Sequence, residues 1–293
     1  MSKQRIRITK PIGQTLKTIA CLLVFQSIAE AACDEDWLFL DITRDGDVRE
    51  LHARNTNDYP ITYSIRVRTN HGREQRPQTF TGSLPGKSSE RLTGLPSTIE
   101  HADELSTSCR WTVGRNDATH DDDHVYLLPY VGGSSFRVLQ GFGSRLSHRG
   151  GEQYAVDFNM SSGTPVHAAR SGVVARIEES NDKGCWEDGC GAFANFIVVL
   201  HDDGTTGEYY HLQQNGALVA AGDRIVAGQK IGLSGNTGHT TMPHLHFAVY
   251  MATNRARSQS VPISFLSGDG VVYEPRRGRR YLAVEHQSAG AGD

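Results

Sequence analysis

Beyond its first thirty or so residues this chain of 293 residues lacks any apolar run long enough to cross a membrane. It also lacks a ten-residue amphipathic helix pattern. Short apolar runs alternate instead with glycine turns, as in Gly172–Ile177, Phe196–His201 and Gly207–Leu212. Many short strands with regular turns predict a compact antiparallel β fold. Cysteine pairs at matched spacing, which a structural zinc ribbon would need, are missing, because only Cys185 and Cys190 lie close together.

Positive charge is concentrated where it does not belong to the fold. Lys3, Arg5, Arg7, Lys10 and Lys17 precede the apolar run Ile19–Phe25, and Ala29-Glu30-Ala31 offers a small-x-small cleavage site. Residues 1–31 therefore read as a secretory signal peptide, with an apolar run too short for a stable anchor. Glu30 stands where a lipobox has an aliphatic residue, which disfavours a lipoprotein. Without the leader, 30 basic and 33 acidic residues become 25 and 32, a charge near −7. That balance argues against nucleic acid as the main partner. The expected location is periplasmic or secreted.

Cys21 leaves with the leader, so four cysteines remain. An even count in an exported chain points to disulfides: Cys185 with Cys190, closing a small loop, and Cys33 with Cys109, tying the N-terminus to a distant strand.

Residues 32–124 are expected to form a small β-sandwich, with Ile61, Tyr63, Ile65 and Val67 on one face of a half-buried strand and a late strand at Cys109–Gly114. His52, His71 and His101 are scattered there and read as surface residues. Asp117–His124 is a polar run, better explained as a solvated linker than as a cation site, and it marks the domain boundary. Residues 125–265 form the second domain. Residues 266–293 form a tail with Arg276, Arg277, Arg279 and Arg280; a flexible charged tail is the commoner explanation, and binding to an anionic envelope polymer the rival.

The chemistry is concentrated in the second domain. In His244-Leu245-His246 the two histidines share one strand face, because strand side chains have a period of two. Asp157 sits between Val156 and Phe158, where an unpaired carboxylate would be costly without a cation. His148 follows Ser147, and His211 follows two tyrosines. A catalytic zinc site needs three protein ligands from His, Asp or Glu and an open position for water, whose pKa the metal lowers to about 7. One carboxylate with several histidines on neighbouring strands fits. Taken alone, each piece is weaker: His211 reads better as a structural histidine, and His-x-His often arises by chance. His167, His201 and His239 read as structural or exposed, with His239 close enough to line a cleft.

Together these pieces resemble the lysostaphin-type (LytM-type) zinc endopeptidases, which cut peptidoglycan cross-bridges. The resemblance covers about residues 137–250. It rests on Tyr154-Ala-Val-Asp-Phe158, Gly163–Val174, Tyr209-Tyr-His-Leu212, Gly228–Gly238 and Pro243-His-Leu-His-Phe247. It implies that Asp157 and His246 bind one Zn2+ and that His211 and His244 are the catalytic histidines. In many family members the first histidine ligand stands four residues before the aspartate, where this chain has Gln153. The nearest upstream histidine is His148, nine residues before Asp157, and members with a Tyr-Ala-x-Asp-Phe segment tend to carry such a Ser-His. His148 is therefore the expected third ligand, with Gln153 the competing occupant. The Cys185–Cys190 loop, with Trp186, is expected to wall the substrate groove, with a surface loop stapled for stability the equal alternative, and Tyr209 and Asn236 to line the groove.

The leading expectation is a zinc metalloendopeptidase acting on peptidoglycan stem or cross-bridge peptides, with a possible envelope protein partner through the N-terminal domain. The alternative is a non-catalytic relative of the same fold that binds and activates cell-wall amidases, a reading that Gln153 favours and the retained histidines oppose. A general secreted protease is a third, weaker reading.

Overall fold

The computed structural model describes residues 31–33, 38–45, 48–69, 76–96, 98–99 and 105–285. The signal-peptide expectation and the readings of His71 and His101 fall outside these residues. Among them the only helices are 3-10 turns at Gly150–Glu152 and Cys190–Phe193, and no helix is long and apolar enough to cross a membrane.

The N-terminal residues build two sheets face to face. One runs in the order Ala31–Cys33, Leu38–Asp45, Val48–Asn55, Ser89–Leu95. The other is Gln78–Leu84, Ile61–Thr69, Leu105–Val113. Alternate residues from both, among them Leu38, Leu40, Leu51, Ile61, Ile65 and Leu84, fill one apolar core. Tyr63 and Val67 join it, as the alternation predicts. Cys109 is disulfide-bonded; its expected partner Cys33 lies on a strand whose side chains are outside the described set. His52 is half-buried rather than exposed, 3.3 Å from Glu50.

The C-terminal residues form a larger sheet ordered Arg224–Ile225, Gly172–Glu178, Phe196–Leu200, Thr206–Tyr210, Leu245–Ala252, Val156–Phe158, Ser135–Gln140, Arg280–Leu282, with Ser258–Ser260 paired to Leu245–Ala252. Register decides what each face carries. Ile197, Tyr209, Phe247 and Val156 lie in one cross-strand row and enter the core. The adjacent row, Phe196, Tyr210, His246, Asp157 and Gln140, lies on the opposite face. Val166, Leu212 and Ile231, from the small sheet Pro165–His167, Lys230–Ser234, Leu212–Ala217, join the same core.

The N-terminal sandwich rests on the polar-row face of this sheet. Val113 packs with Ala175 and Val198, flanked by Tyr59, Trp111 and Phe196, and the Arg176 guanidinium lies 5.0 Å from the Trp111 ring and 5.1 Å from the Phe196 ring. Thr112 and Ser258 share a hydroxyl bond of 2.7 Å.

The expected tail beginning at residue 266 is not separate from the sheet system. Ser264–Ser267 pairs with Val125–Leu127 and with Gly270–Val272, and Arg280–Leu282 closes the edge beside Ser135–Gln140. Phe265 and Ala283 enter the core, so burial holds this segment against its own charge. In the acidic run Asp121, Asp122 and Asp123 are exposed, while His120 and His124 pack against the Tyr126 ring.

Candidate metal centre and groove

His148, Asp157 and His246 converge: their ligand atoms all lie within 4.8 Å of one another. Asp157 Oδ1 is 3.2 Å from His148 Nε2, 2.9 Å from His246 Nδ1 and 3.9 Å from His244 Nε2. Asp157 and His246 meet because they are direct register partners on adjacent strands. His148 reaches them from the loop before the 3-10 turn Gly150–Glu152, and it is completely buried. Gln153, at the end of that turn, is exposed. The longer loop therefore places His148, not Gln153, against the aspartate.

Each ring is held by its other nitrogen. His148 donates from Nδ1 to the Gly141 carbonyl at 3.0 Å, which leaves Nε2 free to coordinate. His211 donates from Nδ1 to the Thr237 carbonyl at 2.7 Å, and His244 from Nδ1 to the Met242 carbonyl at 2.8 Å. Their Nε2 atoms are thereby unprotonated when the rings are neutral, and the ring centroids lie 4.5 Å apart. His211 has φ +66°, a left-handed conformation uncommon for a side-chain-bearing residue and held here at a strand junction.

The electrostatics match the geometry. Burial opposes ionisation of Asp157, yet its contacts with the His148 and His246 rings hold its carboxyl well below the usual range. Burial, followed by the rings of His244 and His246, pushes His211 down to about 3, so it is neutral at pH 7. Burial also lowers His244. Two imidazoles and one carboxylate, with two further neutral imidazoles alongside, are a donor set suited to a divalent zinc-like cation.

These residues line a groove of about 590 Å3. Trp186 of the Cys185–Cys190 disulfide loop forms part of its wall and stacks on His239 at 4.2 Å. Among the described residues none of the sandwich lines it: the lining starts at Arg137. Two expected lining residues do not. Tyr209 is buried in the core, its hydroxyl accepting from the Ala169 amide, because strand alternation gives the groove face to Tyr210. Asn236 lies behind Thr240, from which it accepts a hydrogen bond, and Thr240 takes the lining position. His201 is buried away from the groove beside Thr205, and His167 donates to the Gly228 carbonyl.

Sequence reasoning missed Gln140, Glu152, Glu208 and Tyr250, all in the groove. Gln140 donates to Asp157 Oδ2 at 2.6 Å; a bulge beside Leu139 brings it onto this face. Glu152 lies 3.4 Å from His246 Nε2 and is hydrogen-bonded by Tyr250. Counting by twos from His246 would have put Tyr250 on the same face. Nothing in the sequence marks Gln140 or Glu152.

Residues 151–259 match Peptidase family M23. Lysostaphin from Staphylococcus simulans is 34% identical over 154 residues, covering 52% of this chain and 28% of its own length. Peptidoglycan DD-endopeptidase ShyA from Vibrio cholerae serotype O1 is 33% identical over 141 residues, covering 44% of this chain and 30% of its own length. The chain thus spans less than a third of either relative. The solved catalytic domain of lysostaphin from Staphylococcus simulans is 30% identical, with 43% of this chain and 87% of that one covered and a TM-score of 0.30.

Proposed function

Because its residues 151–259 match Peptidase family M23, we propose that this chain is a zinc metalloendopeptidase that hydrolyses peptide cross-links of bacterial peptidoglycan. The observation that carries the reading is the convergence of His148, Asp157 and His246, with the paired rings of His211 and His244 beside them in one open groove. Its relatives' names include a peptidoglycan DD-endopeptidase.

His148 Nε2, Asp157 Oδ1 and His246 Nδ1 would hold the zinc. When bound, zinc supplies Lewis acidity and lowers the pKa of a water to about 7. The remaining work falls to the chain. An extended peptide lies in the groove with its scissile carbonyl over the histidine cluster. His211 and His244, neutral at pH 7, present basic Nε2 atoms to that point. One takes the proton from the attacking water, and either ring, once protonated, hydrogen-bonds the developing oxyanion and returns the proton to the leaving amine. No acyl-enzyme is needed. The loop carrying Trp186 confines the peptide. Export through residues 1–31 to the periplasm or the exterior belongs to this proposal.

The test is digestion of purified peptidoglycan by residues 32–293, read by mass spectrometry beside His246→Ala. New peptide fragments that disappear in the variant and with chelator support the peptidase. A zinc-loaded protein that releases no fragment from any wall preparation sinks it.

A further inference from the structure

The groove carries two arginines that the cleavage machinery does not use. Arg137 and Arg277 both line it, and both are exposed. Among the described residues no carboxylate forms an ion pair with either guanidinium. The groove's own acids are engaged elsewhere: Asp157 with histidines, Glu152 with His246 and Tyr250, and Glu208 with Tyr210 and Thr206.

The backbone fixes where this pair stands. Val138 faces the core, so Arg137 points to the groove face. The Asn159 amide donates to the Arg137 carbonyl, which sets Arg137 opposite the position two residues along from Asp157. That is a displacement of roughly 7 Å along the strand direction. Arg277 comes from the turn that the Gly278 amide and the Arg279 carbonyl pin to both polar groups of Val138. The strand Arg280–Leu282 anchors that turn from the other side, paired through Arg280 to Arg137. Two guanidiniums from separate, anchored segments thus line the same groove.

We infer that Arg137 and Arg277 form a subsite for a free carboxylate on the substrate peptide, about two residues from the scissile bond. The inference rests on the peptidase reading for its register, because the scissile carbonyl is set over the histidine cluster. An extended peptide advances about 3.3 Å per residue, so the distance to Arg137 spans about two residues. Guanidinium is suited to the task, since its planar donors match a carboxylate bidentately and two of them can share one anion.

Binding separates this inference from the peptidase reading. Cross-linked muropeptide dimers with free carboxylates, and the same dimers converted to carboxamides, are titrated into the chelator-treated protein, where no turnover occurs. The wild type is expected to bind the carboxylate form at least tenfold more tightly. Arg137→Ala/Arg277→Ala is expected to bind both forms equally weakly, with an unchanged melting temperature. Equal binding of both forms by the wild type, discrimination that survives in the double variant, or no binding of either dimer overturns the subsite. The zinc-loaded protein is then given the same dimers: discriminating binding without cleavage would leave the subsite standing and remove the peptidase.

Discussion

Glu152 and His246 face each other across 3.4 Å, on the side of the imidazole away from Asp157. His246 is therefore gripped at both ring nitrogens by carboxylates, with Tyr250 3.3 Å from Nε2 as well. A histidine that ligates through Nδ1 needs its Nε2 proton held, and an outer carboxylate does that. Glu152→Ala is expected to weaken zinc binding by roughly 10- to 100-fold, and Glu152→Gln by less, because its amide oxygen still accepts. Competition against a chromophoric chelator measures both; unchanged affinity in Glu152→Ala would show that the grip is incidental.

His148 and Gln153 give opposite expectations. His148→Ala removes a completely buried nitrogen 3.2 Å from Asp157 and is expected to abolish stoichiometric zinc. Gln153→Ala touches an exposed side chain and is expected to leave metal content and melting temperature unchanged. Elemental analysis of the two purified variants reads the result, and loss of metal in Gln153→Ala alone would reverse the assignment.

His211 is held at φ +66°, where glycine is unstrained. His211→Gly is expected to keep its zinc and to melt no lower than the wild type, while kcat falls by about 10²- to 10⁴-fold, the range for a lost general acid–base. Calorimetry beside muropeptide kinetics checks both halves. Retained activity would remove His211 from the machinery.

Stability should fall in acid through buried neutral histidines. Burial, with the charge of Arg170, lowers His201 from 6.5 to about 3. Above pH 6.5 the ring is neutral in both folded and unfolded chains and contributes no pH dependence. Below 6.5 the unfolded chain takes up a proton that the folded chain refuses, so stability declines as pH drops from 6.5 toward 3. His201→Gln is expected to make that slope shallower without flattening it, since His211 is lowered to about 3 as well. Urea titrations across this range give the slopes, and identical slopes would contradict the assignment.

The Cys185–Cys190 disulfide closes a loop that carries Trp186 to the groove wall. Cys185→Ser/Cys190→Ser is expected to cost about 2 kcal/mol by loop-closure entropy and to raise KM several-fold with kcat little changed. Equal KM would make the loop a staple only.

Much of this protein was legible in its sequence because β-structure writes with a period of two. The alternation in Ile61–Val67, the shared face of His244 and His246, and the loss of every helical pattern follow from local geometry and the need to bury apolar side chains. The motifs around Asp157, His211 and His246 pointed to side chains that the fold brings into one groove. Register was not legible. Whether Tyr209 or Tyr210 faces the groove turns on a single step of alternation against a strand distant in sequence, and the tertiary pairing with Phe247 and His246 decides it. His148 was expected from the resemblance, but the contact itself, His148 against Asp157 with Gln153 left exposed, depends on where the ends of a loop are anchored. The arginine-rich segment read as a tail because charge alone says nothing about pairing. Burial of Phe265 and Ala283 ties it to the sheet edge and brings Arg277 to the groove, a long-range contact that no local pattern encodes.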